Sequence, residues 1–365
     1  MIYLLYSLLF LIVGLVIVDK NDTRKIYYYF FYFGIVLFWG LSYIHAIDTG
    51  TYMEKFYDEI QPLGGHISRK LEIGYTLSAM IAKTIIPQYW FYQFVIFGIE
   101  VWLIMKGLRE FFEDEDMMFI LPLLFFVYPS NLAAFRQGMA ISIFIYALHY
   151  IYEEDTKKSL WYFAIIFIAA LFHQSALMLL LIYAVRFINY HPAIDRTVFI
   201  TLIFIDIIWS TGLSLTSQLD FLLPFLYDDY LEMGEKFAMY IEEVDWGKTY
   251  GIAKVLEINV TIILYTLLCK EDKGWGLLLV NLMLYAVIGL AFGGMLAHRL
   301  NYYWALIYYT CFIKAIVSLF ARGGQQIIAY ILIGSYMFMF HLFKSGMINY
   351  DYNFLFNIEF VEYIM

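Results

Sequence analysis

The stretch "LWYFAIIFIAALFHQSALMLLLIY", residues 160–183, is an apolar run with a polar His-Gln-Ser island at residues 173–175. It can form one long bent helix, or two short helices that turn at the polar island. A lysine pair at 157–158 precedes the run, and Arg186 and Arg196 follow it. Basic loops stay on the cytoplasmic side, so a single crossing would leave one of these clusters on the wrong face. The run therefore predicts two helices.

The composition predicts a membrane protein. Of 365 residues, 63% are hydrophobic and 15% are charged, and the mean hydropathy is +0.71. A soluble domain with a solvated surface does not reach these values. The net charge of -9 argues against a nucleic-acid partner. The two cysteines lie far apart and form neither a disulfide framework nor a metal-ligand spacing, so we expect no metal and no cofactor.

Apolar runs long enough to cross about 30 Å of hydrocarbon recur along the whole chain. They predict an all-α polytopic integral membrane protein with about twelve transmembrane helices in a single domain, residues 1–365. The predicted spans are 2–18, 26–47, 88–105, 117–133, 137–152, 160–173, 174–187, 197–214, 252–269, 275–295, 300–320 and 326–343. With these spans the short basic loops all fall on one side, which is the cytoplasmic side, and both termini lie outside.

Two longer loops are then external. The first, residues 48–87, contains "LEIGYTLSAMIAKTII", in which Ile73, Leu77 and Ile81 share one helical face; this pattern predicts an interfacial helix. The second, residues 216–251, is rich in aspartate and glutamate and predicts an acidic external cap.

Several polar motifs that are distant in sequence converge on the external side of this topology. Taken singly, Arg136 can be an arginine that reaches an interface, and His173 can be a hydrogen-bonded core residue. Together they favour a functional site on the outer face. The residues are Arg136 and Gln137 before the fifth span; His173, Gln174 and Ser175; His298 and Arg299; and Asp48, Tyr52 and Glu72 in the first loop.

The sequence motifs leave few reaction types for this site. No Gly-rich phosphate loop, HExxH or GxSxG motif occurs, so an ATPase, a zinc protease and a serine hydrolase lack support. Arginines on the outer face suit a lipid-linked phosphate or pyrophosphate, because the guanidinium group matches phosphate oxygens. Histidine titrates near neutral pH and is the natural general base, with a carboxylate as competitor.

The segment "FRQGMAISIFIYALHYI", residues 135–151, followed by the run at 160–183, resembles the EpsG family, which belongs with the Wzy-type polysaccharide polymerases of bacterial capsule, exopolysaccharide and O-antigen pathways. "IDTGTYMEKFY", "LEIGY", "HRLNYYW" and "INYDYNFLF" are also similar to that family. One departure is "IDTGTY", where the family commonly has a second acidic or polar residue close to the aspartate; this chain offers Asp48 with Thr49 and Thr51.

The resemblance implies a multi-helix, GT-C-like glycosyltransferase of the bacterial plasma membrane. Such an enzyme joins oligosaccharide repeat units carried on undecaprenyl pyrophosphate at the outer face, by an inverting transfer without metal. A flippase and a chain-length regulator are the partners that this pathway implies.

Within that reaction each polar residue receives an expected role. We expect His173 to be the general base, with Glu72 second. Arg136 and Arg299, helped by Gln137 and His298, are expected to bind pyrophosphate. The expected contacts of the sugar substrate are Asp48, Tyr52, Gln174, Ser175 and Tyr302.

Three other functions remain open at this point. A ligase-like transferase of O-antigen type shares the donor and differs only in its acceptor. A membrane acyltransferase that decorates the polymer is another. A transporter of lipid-linked sugars is disfavoured, because no internal repeat is found and the polar motifs gather at one face instead of the midplane.

Overall fold

The computed structural model describes residues 8–14, 21–43, 47–65, 72–127, 135–188, 194–211, 252–269, 275–291, 295–321, 328, 331–332, 334–335 and 353–354. The predicted acidic loop, 216–251, and most of the first and last predicted spans lie outside these residues. The described chain is helical apart from one two-residue antiparallel pair, β1 (Ser42–Tyr43) with β2 (Asn353–Phe354). The all-helical prediction is therefore confirmed.

Most of the helices overlap a predicted span. They are α1 (Asn21–Gly40), α2 (Ile47–Asp58), α3 (Ile73–Ile85), α4 (Tyr89–Leu108), α5 (Asp114–Val127), α6 (Phe135–Ile151), α7 (Thr156–Ser159), α8 (Trp161–Phe172), a 3-10 helix (Gln174–Phe187), α9 (Ile194–Thr211), α10 (Ile252–Leu268), α11 (Trp275–Ala291) and α12 (Met295–Ala321).

Two helices of the described chain are long and apolar enough to cross a membrane on their own: Tyr89–Leu108 and the segment Leu300–Phe320 of α12. Several shorter helices, of 10–17 residues, are also apolar. The predicted number of twelve crossings stays a prediction.

The run at residues 160–187 folds as two segments. α8 ends at Phe172, His173 is extended (φ -154°, ψ 118°), and a 3-10 helix of 14 residues follows. The Tyr162 hydroxyl near the start of α8 donates to the Leu179 carbonyl at 2.6 Å, across the bend. A straight helix would separate these residues by about 25 Å, so the chain folds back at the polar island. At about 2.0 Å per residue the 3-10 helix extends about 28 Å, nearly the thickness of the hydrocarbon.

The chain forms two compact units, residues Met1–Leu180 with Leu319–Met365, and residues Leu181–Ser318. In the first unit α4 packs between α1 and α6, and α6 packs along α8. The prediction of a single domain stays a prediction.

The register of α4 on α6 follows from two close approaches. A Cβ on Gly107 would lie 2.6 Å from the Ile145 carbonyl oxygen, and a Cβ on Gly138 would lie 3.1 Å from the Glu100 carboxylate. The contact points are seven residues apart on both helices, so α4 and α6 run parallel with their backbones close together. Small residues permit such packing between membrane helices. The start of α6 therefore lies beside the middle of α4.

Two basic segments that the predicted topology places on the cytoplasmic side, around Arg24 and Arg109, pair with acidic residues at the start of α5. Arg24 pairs with Glu115 at 2.8 Å, and Arg109 pairs with Asp114 at 3.0 Å. The Tyr28 hydroxyl donates to the Asp114 carbonyl at 2.6 Å and ties both pairs together.

In the second unit, buried and partly buried polar contacts join the helices. Asp206 on α9 accepts from Asn259 on α10 and from the Tyr285 hydroxyl on α11. The Trp304 indole on α12 donates to Asn281 on α11 at 2.6 Å. These contacts agree with a structural role for Asp206 and Asn281.

Candidate functional site

Arg136 is the cationic residue of the candidate site. It lies in the first turn of α6 with a side chain that is 25% exposed, and it forms an ion pair with Glu72. Its Nε donates to the Tyr52 hydroxyl at 2.8 Å, and its guanidinium lies 5.3 Å from the centroid of the Tyr52 ring. Arginine stays charged in proteins, so the site holds a partly exposed cation whose partners come from two other elements.

Glu72 precedes α3 and could cap that helix. Its side chain makes no capping hydrogen bond, although an acidic group before a helix commonly accepts from the first N–H groups. It binds Arg136 instead, and it is 17% exposed. The Glu72 carboxylate is therefore engaged by the Arg136 guanidinium and not by the start of α3.

Gly74 brings Glu72 and His173 into one neighbourhood. A Cβ on Gly74 would lie 2.9 Å from the Leu171 carbonyl carbon and oxygen and 3.0 Å from the Phe172 ring. Only glycine lets the start of α3 approach the end of α8 so closely. The residue after this contact on α8 is His173, and the residue two positions before it on α3 is Glu72.

His173 is oriented by its neighbour Ser175. Its Nδ1 lies 2.6 Å from the Ser175 Oγ and 3.3 Å from the Ser175 backbone nitrogen. The ring is half-buried, because His173 ends α8 in an extended conformation that turns the chain. The serine thus fixes the orientation of the imidazole ring at Nδ1.

Lys83 on α3 connects the two helices of the first loop, α2 and α3, by hydrogen bonds. Its Nζ donates to three carbonyls at the end of α2 and just after it: Phe56 at 2.6 Å, Tyr57 at 3.1 Å and Ile60 at 2.7 Å. A cation at a helix C-terminus satisfies carbonyls that lack helical partners. Partial burial lowers the pKa of Lys83, and Asp58 opposes this effect. Lys83 thus keeps Tyr52 on α2 and Glu72 before α3 in reach of one arginine.

A buried layer of tyrosines lies beneath Tyr52. The Tyr75 hydroxyl donates to the Tyr52 carbonyl at 3.4 Å, and the two rings lie 5.4 Å apart. The Tyr92 hydroxyl lies 3.0 Å from Ser78 Oγ. Burial, and then Tyr52, raises the pKa of Tyr75, so its hydroxyl remains a donor. These contacts fix the Tyr52 backbone and leave its hydroxyl for Arg136.

The other predicted site residues fall in three groups. Gln137 is completely buried and Gln174 is exposed. Asp48 lies in α2, and His298 and Arg299 lie in α12, but their side chains are outside the described part of the structure. Tyr302 is half-buried on α12, in the second unit. The structure thus brings together the side chains of Arg136, Tyr52 and Glu72, and it brings the start of α3 against the end of α8, which His173 follows. The roles of all predicted residues stay predictions.

Sequence reasoning missed two charged residues of this region, Lys83 as a helix cap and Glu100. Glu100 was detectable as an acidic residue in the middle of the span 88–105. Among the described residues no cluster of three His, Cys, Asp or Glu side chains could hold a metal ion. The expected absence of a metal stays a prediction.

With this geometry established, the comparison with protein families is decisive. The EpsG family profile matches residues 2–363. The chain belongs to the EpsG family. This is a family of Wzy-like polysaccharide polymerases, and the membership, with the two long apolar helices, supports a membrane protein of polysaccharide biosynthesis. No curated protein and no solved structure matches the chain.

Proposed function

We propose that this EpsG-family protein polymerises oligosaccharide repeat units carried on undecaprenyl pyrophosphate, at the outer face of the bacterial plasma membrane. The observation that carries the proposal is the partly exposed Arg136, whose guanidinium is paired with the Glu72 carboxylate. Glu72 precedes the helix that packs through Gly74 against the end of α8, where His173 contacts Ser175. An anion site next to a potential base is what a transfer from a pyrophosphate leaving group requires.

Arg136 would bind the pyrophosphate of the donor. Guanidinium has five N–H donors, and within the described part of the chain one goes to Tyr52 and one to Glu72. The remaining N–H groups can donate to phosphate oxygens, and a further phosphate oxygen can replace the Glu72 carboxylate as acceptor. The positive charge would stabilise the charge that builds on pyrophosphate as it leaves. Arg299 and His298 are the second group that we assign to the phosphates.

His173 would accept the proton of the incoming hydroxyl. The bond from the anomeric carbon to the pyrophosphate oxygen breaks, and its electron pair leaves with the pyrophosphate. The acceptor oxygen forms a bond to that carbon on the opposite face, and its proton moves to His173 Nε2. Base action at Nε2 requires the neutral ring to carry its proton on Nδ1. The Ser175 Oγ at 2.6 Å would accept from that N–H, in place of the hydrogen bond that the Ser175 backbone N–H donates to Nδ1 in the structure. The transfer inverts the anomeric centre and needs no metal.

Glu72 is the second candidate for the base, but its carboxylate is engaged with Arg136. Protonation of Glu72 would remove the charge that holds the guanidinium. We therefore assign Glu72 to the positioning of Arg136. Tyr52, Asp48, Gln174, Ser175 and Tyr302 are assigned to the sugar units.

The wider setting is part of the same proposal. It comprises twelve crossings in a GT-C-like arrangement, both termini outside, an interfacial α3, and a flippase and a chain-length regulator as partners. On α3 the apolar side chains Ile73, Leu77 and Ile81 point outward and are 38–49% exposed. Such a row supports contact with lipid.

The test is polymer formation from a purified undecaprenyl-pyrophosphate repeat unit, followed as a ladder on a gel. We expect a ladder from the unaltered protein and none from Arg136→Ala. Arg109→Ala is the matched control, because Arg109 also pairs with a carboxylate but lies at the C-terminal end of α4, away from Arg136; it should keep the ladder. A single transfer to a different acceptor, without a ladder, would favour the ligase, and no transfer at all from folded protein would reject both.

A further inference from the structure

A groove lies between α1 and α4 in the first unit. Its volume is about 260 Å³, and from Phe94 to Trp102 it extends about 12 Å along α4. The Tyr32 hydroxyl donates to the Gly98 carbonyl at 3.2 Å, so these two polar groups satisfy each other. Apolar side chains dominate the lining, including Phe33, Val36, Val95 and Ile99. The groove therefore offers a ligand an apolar surface.

The groove opens toward the hydrocarbon of the membrane. Among its lining residues Phe33 is 66% exposed, Ile99 is 42% exposed and Trp102 is 49% exposed. α4 is one of the two described helices that are long and apolar enough to cross a membrane. Exposed apolar side chains on such a helix face lipid tails, which are equally apolar. An acyl chain is therefore the group that fits this groove.

A positive charge lies at one end of the groove. Lys106 is exposed, and its Nζ lies 5.0 Å from the centroid of the Trp102 ring and 5.1 Å from that of the Tyr146 ring. Trp102 thus lines the groove and also contacts the lysine. Arg109, at the end of α4, is paired with Asp114, whereas Lys106 forms no ion pair with any described residue. The lysine can donate to an anion at this end of the groove.

The position of Lys106 along α4 is that of a lipid headgroup. It lies in the last turn of a helix of 20 residues, about 18 Å beyond Phe94 at the opposite end of the groove. Tryptophan and tyrosine beside a basic residue are typical of the membrane interface, and the predicted topology makes this interface cytoplasmic. Tyr146 follows Arg136 by about 15 Å along α6. An anion on Lys106 would therefore be distinct from the proposed pyrophosphate site.

We propose that the groove between α1 and α4 binds an anionic phospholipid of the cytoplasmic leaflet, with one acyl chain in the groove and the phosphate on Lys106. Basic pockets between helices on the cytoplasmic side are typical sites for anionic headgroups. A lysine that only anchored α4 at the interface would need no groove beside it. The polyprenyl chain of the donor fits less well, because we assign its pyrophosphate to Arg136 on the predicted outer face. The inference does not depend on the polymerase reaction.

Fluorescence of Trp102 tests the proposal without an activity assay. The full-length protein is reconstituted in phosphatidylcholine vesicles that contain increasing fractions of a lipid with brominated acyl chains, which quench tryptophan on contact. The brominated lipid is phosphatidylglycerol in one series and phosphatidylcholine in the other, and the Trp102→Phe variant supplies the background. The attraction of one lysine for anionic lipid predicts half-maximal quenching at an about fivefold lower fraction of phosphatidylglycerol. Equal quenching by both lipids would overturn the proposal.

Lys106→Met and Lys106→Arg test the charge. The side chain is exposed, so neither substitution changes the core. We expect Lys106→Met to be quenched equally by both lipids, and Lys106→Arg to keep most of the preference for phosphatidylglycerol. Lys158→Met is the matched control, because Lys158 is also exposed and predicted to be cytoplasmic, and it should keep the preference. A preference that persists in Lys106→Met would overturn the proposal.

Val95→Phe tests the groove with the lysine in place. The larger side chain would fill the space of the acyl chain, so we expect the preference for phosphatidylglycerol to be lost. Ile168→Phe on α8, at a position that is 50% exposed and outside the groove, is the control and should keep it. If Val95→Phe does not fold, Ile99→Phe takes its place. A preference that survives the filling of the groove would mean that the lysine alone attracts the lipid, which overturns the acyl-chain site.

Undecaprenyl pyrophosphate distinguishes the two apolar occupants. When it is added to the vesicles, it should leave the quenching of Trp102 by brominated phosphatidylglycerol unchanged, because its pyrophosphate binds at Arg136 in our proposal. Displacement of the brominated lipid would overturn the phospholipid as occupant and assign the groove to the polyprenyl chain of the donor.

Discussion

Gly74→Ala changes the site without removing any of its functional groups. The new Cβ would lie 2.9 Å from the Leu171 carbonyl carbon and oxygen. Carbon atoms pack at about 3.5–4.0 Å, so α3 must move from α8 by roughly 0.6 Å or more. The contact is with backbone, which cannot rotate away, and overpacking of this kind costs about 1–3 kcal/mol of stability.

The movement separates Glu72 from the end of α8 and from His173. A misplacement of about 1 Å at a catalytic site lowers rates by up to about 100-fold, so we expect Gly74→Ala to lower the rate of ladder formation by about 10- to 100-fold. The assay combines this rate with the thermal stability of the purified protein. Gly98→Ala, whose added methyl group meets ordinary contacts, should keep both. A Gly74→Ala variant with unaltered rate would refute the close packing of α3 on α8.

Three further changes test the contacts around this neighbourhood. Lys83→Met removes three hydrogen bonds to the α2 carbonyls and should lower the melting temperature, and more strongly the activity, whereas Lys83→Arg should recover part of both. Ser175→Ala removes the hydroxyl group beside His173 Nδ1 and should lower kcat by about tenfold, whereas Ser175→Thr keeps a hydroxyl group and should be active. Equal rates in both variants would speak against His173 as the general base. Tyr52→Phe keeps the ring beside Arg136 and loses one hydrogen bond, so we expect donor binding to weaken by about three- to tenfold, and unchanged binding would contradict the contact.

Hydropathy predicts most of the fold because each span has to satisfy its own backbone in lipid. The bend at His173 was also predictable, since basic residues on both sides of the run favour two helices over a single crossing. α2 was not predicted, because Ile47–Asp58 has a polar composition that does not stand out as an apolar run. Its helix is held by Lys83 and by the packing of Phe56 on Tyr92, which are tertiary contacts.

The sequence predicts the members of the site as residues on one membrane face, which stays a prediction, and it does not predict which of them are partners. Tyr52 and Arg136 are 84 residues apart, and Glu72 and Arg136 are 64 residues apart. No local spacing encodes such pairs. The place of Arg136 near the middle of α4 depends on two glycine contacts, at Gly107 and Gly138, and these follow only from the packed helices.

The central claim is that Arg136 binds the pyrophosphate of the lipid-linked donor. The most direct measurement is the affinity of the purified protein for undecaprenyl pyrophosphate, compared with Arg136→Ala and Glu72→Gln. Hydrogen bonds to charged groups contribute about 1.5–3 kcal/mol each, so Arg136→Ala should weaken binding by roughly 10- to 100-fold. Glu72→Gln should bind at least as tightly as the unaltered protein, because its carboxylate no longer competes for the guanidinium. Unchanged affinity in Arg136→Ala would contradict the account.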